Sequence, residues 1–135
     1  MLSLLFLIMG MCIYLLFRDL SNIALFSWMP NFPLVDTSLV SLNTGTIFGR
    51  LFVFNLPHGL WSLAGLLVIR AIWLTNVKWR AIYGGIFFVV ISALEISQLS
   101  EARHGTFDVL DLAFYGGSAF LESMTYNIFI RRRVL

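Results

Sequence analysis

Two apolar runs, Leu56–Leu74 and Ala81–Leu99, constrain this chain more than any other feature. Each carries one formal charge, Arg70 in the first and Glu95 in the second. A helix needs about 20 consecutive apolar residues to cross about 30 Å of hydrocarbon, and both runs meet that length. The chain as a whole is strongly apolar. Of its 135 residues 59% are hydrophobic and 12% charged, with a mean hydropathy of +0.89. Soluble domains average about 45–50% apolar and about 25% charged residues, so the excess predicts an integral membrane protein.

Two further segments complete the reading. Leu2–Phe17 is uncharged and closes at Arg18 and Asp19. It lacks the basic start and small-residue cleavage site of a secretory signal, so it reads as a retained membrane helix. Asp108–Ile130 is the last. The expected fold is an all-α membrane protein, one domain over residues 1–135. It has four transmembrane helices at about 2–17, 56–74, 81–99 and 108–130, and a long extracytoplasmic connector between the first two. Asn55 is expected to cap the second helix, with Pro57 in its first turn, where the missing N–H costs nothing. Gly84-Gly85 and Gly116-Gly117 are expected where helices three and four approach their neighbours, because small residues let backbones come close in lipid.

The connector, Asp19–Phe54, is rich in Ser, Thr and Asn and also holds Trp28, Pro30 and Pro33. Compact domains seldom spend so many residues on a passive loop, and its apolar content predicts that it lies on or dips into the membrane surface. Ile47–Phe54 reads as a short interfacial strand or helix. Four helices put both termini on one side. Lys78, Arg80 and the Arg131-Arg132-Arg133 triplet fall on that side, and Arg18, Arg50 and Arg103 on the other. The excess of basic residues marks the cytoplasm. Localisation to a bacterial inner membrane, multi-pass, with both termini cytoplasmic, follows as an expectation. The lone cysteine, Cys12, excludes an intramolecular disulfide and is expected as a small buried thiol. No basic tract is interleaved with stacking aromatics, which leaves nucleic acid out as a partner.

Polar chemistry concentrates in one place. Four of the seven acidic residues, Glu95, Glu101, Asp108 and Asp111, lie in or beside the turn between helices three and four. Glu95 and Gln98 are spaced i, i+3 on one helical face, and Asp108 and Asp111 on another. Tyr115 continues the Asp111 face one turn deeper. His58, at the start of helix two, is expected at the same depth. The predicted ligand-binding set is His58, Glu95, Gln98, Arg103, Asp108, Asp111 and Tyr115, facing the extracytoplasmic side. Structural roles compete with this reading. Asp108 and Asp111 suit a helix cap and a first-turn carboxylate, with Thr106 as a rival cap. Arg103 suits a carboxylate or a lipid phosphate, and His58 a neutral hydrogen-bonding residue. Glu95 is harder to explain structurally, because a charge one turn inside an apolar helix is costly and is paired or functional. Toward the other end, Arg70 and Glu122 fall at similar depth and are expected to face each other in a structural pair, with Arg70 snorkelling alone as the alternative.

On Glu95-x-x-Gln98, Arg103, Asp108, Asp111, Gly116-Gly117 and the upstream His58, the chain resembles the VanZ-like family of small bacterial membrane proteins over roughly Asn55–Glu122. Tyr115 departs from the Asn often found there in the family. The resemblance implies a cell-envelope role linked to glycopeptide (teicoplanin) resistance, an antibiotic-resistance function whose chemistry it does not specify.

Three functions compete at this level. The first is binding, or acting on, the head group of a membrane lipid, such as a lipid-linked cell-envelope precursor. Arg103 and helix N–H groups would meet phosphate, the carboxylates and Gln98 would meet sugar or amine groups, and His58 would serve as acid or base if chemistry occurs. The second is a small accessory subunit with a membrane protein partner. The third is a metal-assisted hydrolase or transferase using His58, Glu95, Asp108 and Asp111. Their spacing matches no metal motif and no nucleophile stands out, so neither catalytic residues nor a metal or other cofactor is assigned. No polar chain runs through the middle of the helices, which argues against an ion pathway.

Overall fold

A computed structural model describes residues 1–17, 44–99 and 107–129. The connector up to residue 43, Arg103, Thr106 and the C-terminal arginines lie outside the described residues. Among the described residues the chain is all-helical: α1 (Leu2–Phe17), α2 (Ile47–Ile72), α3 (Val77–Ile96, continued by a 3₁₀ turn to Leu99) and α4 (Val109–Phe129). Two of these, α2 and the α3 segment Val77–Leu99, are long and apolar enough to cross a membrane.

The second helix departs most from expectation. It starts at Ile47, capped by Thr46, whose Oγ1 accepts from the Gly49 N–H at 3.1 Å. It then runs through the region read from sequence as its beginning. Pro57 therefore sits inside a continuous helix, where it can donate no hydrogen bond to Val53 and its ring crowds that carbonyl. The chain answers with a widened π turn over Leu51–Asn55, in which the Leu56 N–H reaches back to Leu51 O. Asn55 makes no capping hydrogen bond, since there is no helix start for it to cap. At the other end the turn into α3 is short. Asn76 caps α3 by accepting from the Trp79 N–H at 3.2 Å, so α3 begins four residues earlier than the apolar run suggested and takes in Lys78 and Arg80.

The other three helices all pack on α2. Glycine makes each approach close. A Cβ on Gly10 of α1 would lie 2.5 Å from Trp61 Nε1, one on Gly59 would lie 2.8 Å from Phe114 Cδ1 of α4, and one on Gly65 would lie 2.5 Å from Phe87 Cζ of α3. The glycine pairs singled out from sequence do not serve this purpose. Among the described residues nothing lies within 4 Å of where a side chain would start at Gly85, Gly116 or Gly117, and Gly84 meets only Leu66, at 3.8 Å. Gly117 instead lines a shallow apolar groove of about 360 Å³ between α2 and α4. Cys12 is exposed on α1 rather than buried, because α1 meets its neighbours along the face of Gly10 and Tyr14, and Cys12 turns away from it.

The distribution of side chains is inverted relative to a water-soluble fold. Among the described residues the buried hydrophobics are Val53, Ala64 and Leu66, whereas Asn55, Ser62, Glu95, Asp111 and Ser118 are all buried. Outside, α1 and α3 present Leu4, Leu7, Ile86, Val89, Val90 and Leu94 openly. The expected Arg70–Glu122 pair forms. Arg70 Nη1 lies 3.6 Å from Glu122 Oε1, and it donates to Thr125 Oγ1 at 2.8 Å and to Glu122 O at 3.3 Å.

Packing at Gly59 yields a test. Gly59→Ala forces the added methyl against Phe114 and should cost about 1–3 kcal/mol. Gly117→Ala meets open space and should be neutral or stabilising by up to about 1 kcal/mol through helix propensity. Thermal unfolding of the two detergent-solubilised variants, followed by size exclusion, checks the opposite signs.

Candidate functional site

The site is assembled from three helices. The widened turn in α2 ends on Asn55, which is 1% exposed. Its amide Nδ2 donates to two carboxylates of the α4 start, Asp108 Oδ2 at 3.0 Å and Asp111 Oδ1 at 2.8 Å. One turn on, His58 Nδ1 stands 2.9 Å from Asp111 Oδ2, close enough for an ion pair but without hydrogen-bond alignment. From α3, Glu95 Oε1 accepts the Asp108 backbone N–H at 3.2 Å, and its Oε2 accepts from Gln98 Nε2 at 3.2 Å. Asp108 caps α4, with Oδ1 taking the Leu110 N–H at 2.9 Å. Tyr115 stacks at a tilt beside His58, ring centroids 6.3 Å apart.

Six of the seven residues expected from sequence thus converge: His58, Glu95, Gln98, Asp108, Asp111 and Tyr115. The seventh, Arg103, lies outside the described residues. The expected common depth holds, because His58 meets Asp111, but the expected helix start does not: His58 lies eleven residues into α2, about 16 Å from Ile47 at 1.5 Å per residue. The apolar beginning of α2 extends past the ends of α3 and α4, and Phe52 meets Phe17 of α1 edge-on at 5.6 Å. The cluster is therefore flanked by apolar helix on one side and by the α3–α4 junction on the other.

Asp108 and Asp111 divide two roles between them. Asp108 is the cap that sequence allowed. Asp111, 5% exposed, points inward and takes part in the cluster rather than merely complementing the helix dipole. Asp108 sits ahead of α4, and the Asn55 amide, followed by the Leu110 N–H, holds its carboxyl below the ordinary value of 3.8. Glu95, 2% exposed, is the most enclosed carboxylate of the three. Neither Glu95 nor Asp111 is paired with a Lys or Arg among the described residues.

Sequence reasoning missed Asn55. Its signal was present: a polar amide three residues before His58 in an apolar run, which is helical spacing. It was read as a helix cap because Pro57 follows it.

Next to the cluster a groove of about 470 Å³ runs down α2 between α1 and α3. His58 and Tyr115 stand at its polar end; Trp61, Leu4, Leu7, Val68 and Phe87 line its length. Ser62, 3% exposed, also lines it, one turn from His58, with no hydrogen bond to its Oγ. Comparison with protein-family models, curated proteins and solved structures finds no match for this chain.

Replacing the amide tests how much the cluster depends on it. Asn55→Leu keeps the size but strips a donor from two carboxylates and should destabilise the fold by about 2–3 kcal/mol. A depressed carboxyl contributes stability that is present above its unfolded value and lost as pH falls through its folded value. In Asn55→Leu the Asp108 titration should move up toward 3.8, and that part of the acid dependence should shrink. Carboxyl-carbon NMR titration of both proteins checks it.

Proposed function

We propose that the chain is a four-helix, multi-pass protein of a bacterial inner membrane that binds the head group of an envelope lipid in the His58–Glu95–Asp111 cluster. The observation that carries this reading is the union of two unlike surfaces. A buried polar cluster opens at His58 and Tyr115 onto an apolar groove that follows α2 to Val68, ten residues or about 15 Å further along the helix. That is the shape of an amphiphile: polar groups at one end, an acyl chain along the other. Hydrogen-bond acceptors dominate the polar end, which suits sugar hydroxyls or amines.

Membrane residence is supported by the inverted surface and by the far end of the bundle. There Trp73, Trp79 and Tyr83 gather at the α2–α3 turn, with Trp73 and Tyr83 stacked at 5.3 Å, beside Lys78 and Arg80. Aromatic and basic residues together mark a membrane–water interface, and the basic ones its cytoplasmic side. The polar cluster then faces the envelope side, with both termini cytoplasmic. The resemblance to VanZ-like proteins agrees with an envelope role and brings glycopeptide resistance into the same proposal.

Native mass spectrometry of the protein extracted from its own membrane tests the reading. Wild type should carry a defined lipid adduct that is lost from both Glu95→Gln and Asp108→Asn at matched helix content. Equal, loosely bound lipids on all three proteins would sink it. A protein partner retained by all three would favour an accessory-subunit role instead.

A further inference from the structure

We infer that His58, Glu95 and Asp111 form a binding site for one divalent transition-metal ion, of the Zn²⁺ or Mn²⁺ type. The inference does not rest on the lipid reading, and it follows from the donor set. One imidazole nitrogen and one oxygen from each of the two carboxylates lie within 4.8 Å of one another. Two donors bound tetrahedrally to one ion at about 2.0–2.2 Å stand about 3.4 Å apart. Closing the cluster on an ion therefore needs side-chain movements of about 1 Å, within the reach of rotamer adjustment. The three donors come from three helices, so binding would tie α2, α3 and α4 together at one point.

Two independent observations separate this cluster from a group of surface acids. First, both carboxylates are enclosed, Glu95 at 2% and Asp111 at 5% exposure, and no Lys or Arg among the described residues neutralises them. Burying like charges this close is costly without a compensating cation. Second, the imidazole donor of the site lacks a hydrogen-bond partner. His58 Nδ1 is wholly buried with no hydrogen bond although Asp111 Oδ2 is 2.9 Å away. A lone pair turned toward an ion shared with that oxygen accounts for the close but unaligned contact.

The remaining groups fit an outer shell. Asn55 donates to Asp111 Oδ1 and Gln98 to Glu95 Oε2, each holding a ligand carboxylate in place, as outer-shell partners of metal ligands do. Asp108 is committed to capping α4 and to Asn55 and stays outside the ligand set. A mixed nitrogen and oxygen set favours Zn²⁺ or Mn²⁺ over Ca²⁺ or Mg²⁺, which take oxygen donors throughout. Three protein ligands leave at least one position open, on the side where His58 faces the groove.

The untagged full chain in detergent micelles, equilibrated with Zn²⁺ or Mn²⁺ alone and then exchanged into metal-free buffer, is the material for the test. Elemental analysis should find one ion per chain. His58→Ala and Glu95→Gln should each weaken binding by at least about 100-fold, beyond the roughly 10–100-fold that loss of an outer-shell partner costs, with helix content by circular dichroism unchanged. Should the variants misfold, pulsed electron paramagnetic resonance of the Mn²⁺-loaded wild type decides, because one bound imidazole gives a nitrogen coupling. Folded wild type that retains neither ion, an ion retained by the His58→Ala/Glu95→Gln double variant, or bound Mn²⁺ without nitrogen coupling would each overturn the site.

Discussion

The Asn55 amide bridging Asp108 and Asp111 is the contact on which the arrangement around it depends. Hydrophobic burial gives little direction here, because the outer faces of these helices are as apolar as their inner ones. Burying Leu against Leu gains little when the alternative surroundings are also hydrocarbon. Directional contacts between helices must then set how they sit. The Asn55 amide reaches from α2 to both carboxylates at the start of α4, and Glu95 of α3 accepts the Asp108 N–H beside them. Three helices are fixed in depth and rotation by groups lying within a few ångströms of one another.

The widened turn in α2 belongs to the same logic. Pro57 breaks the regular ladder, and the π turn that accommodates it brings Asn55, His58 and Gly59 to bear on α4. Gly59 lets Phe114 approach, and its carbonyl oxygen also accepts from Ser118 Oγ at 2.7 Å. Such widened turns recur at functional sites because they re-aim side chains without ending the helix. At the opposite end Arg70, Glu122 and Thr125 form a second polar cross-link between α2 and α4. The two clusters hold the same pair of helices at both ends and leave the apolar middle to glycine-mediated packing.

Much of this was legible along the chain. The uncharged run Leu2–Phe17 has the bounds of α1, and the ends of the last two helices fall within a residue of Leu99 and Val109. Glu95, Asp108 and Asp111 stood out because charge is rare in such a sequence, and i, i+3 spacing placed each pair on a face. The Arg70–Glu122 pair followed from counting rise per residue. What failed were inferences from local signals with two meanings. Asn-x-Pro reads as a helix start, and here it is a bulge. Paired glycines read as packing points, but a glycine packs closely only if a bulky neighbour stands opposite, and Phe114 and Phe87 stand opposite Gly59 and Gly65.

The sequence by itself determined that the chain is helical and apolar on its outside, and that its chemistry gathers at the α3–α4 junction. Those properties follow from composition and period, which are local. Only the tertiary structure decided that His58 sits deep in α2, that the Asn55 amide receives the two aspartates, and that the polar cluster opens onto an apolar groove. Each depends on the rotation and depth of one helix against another. Local sequence leaves these free, because the outward-facing and the helix-facing sides are built from the same residues.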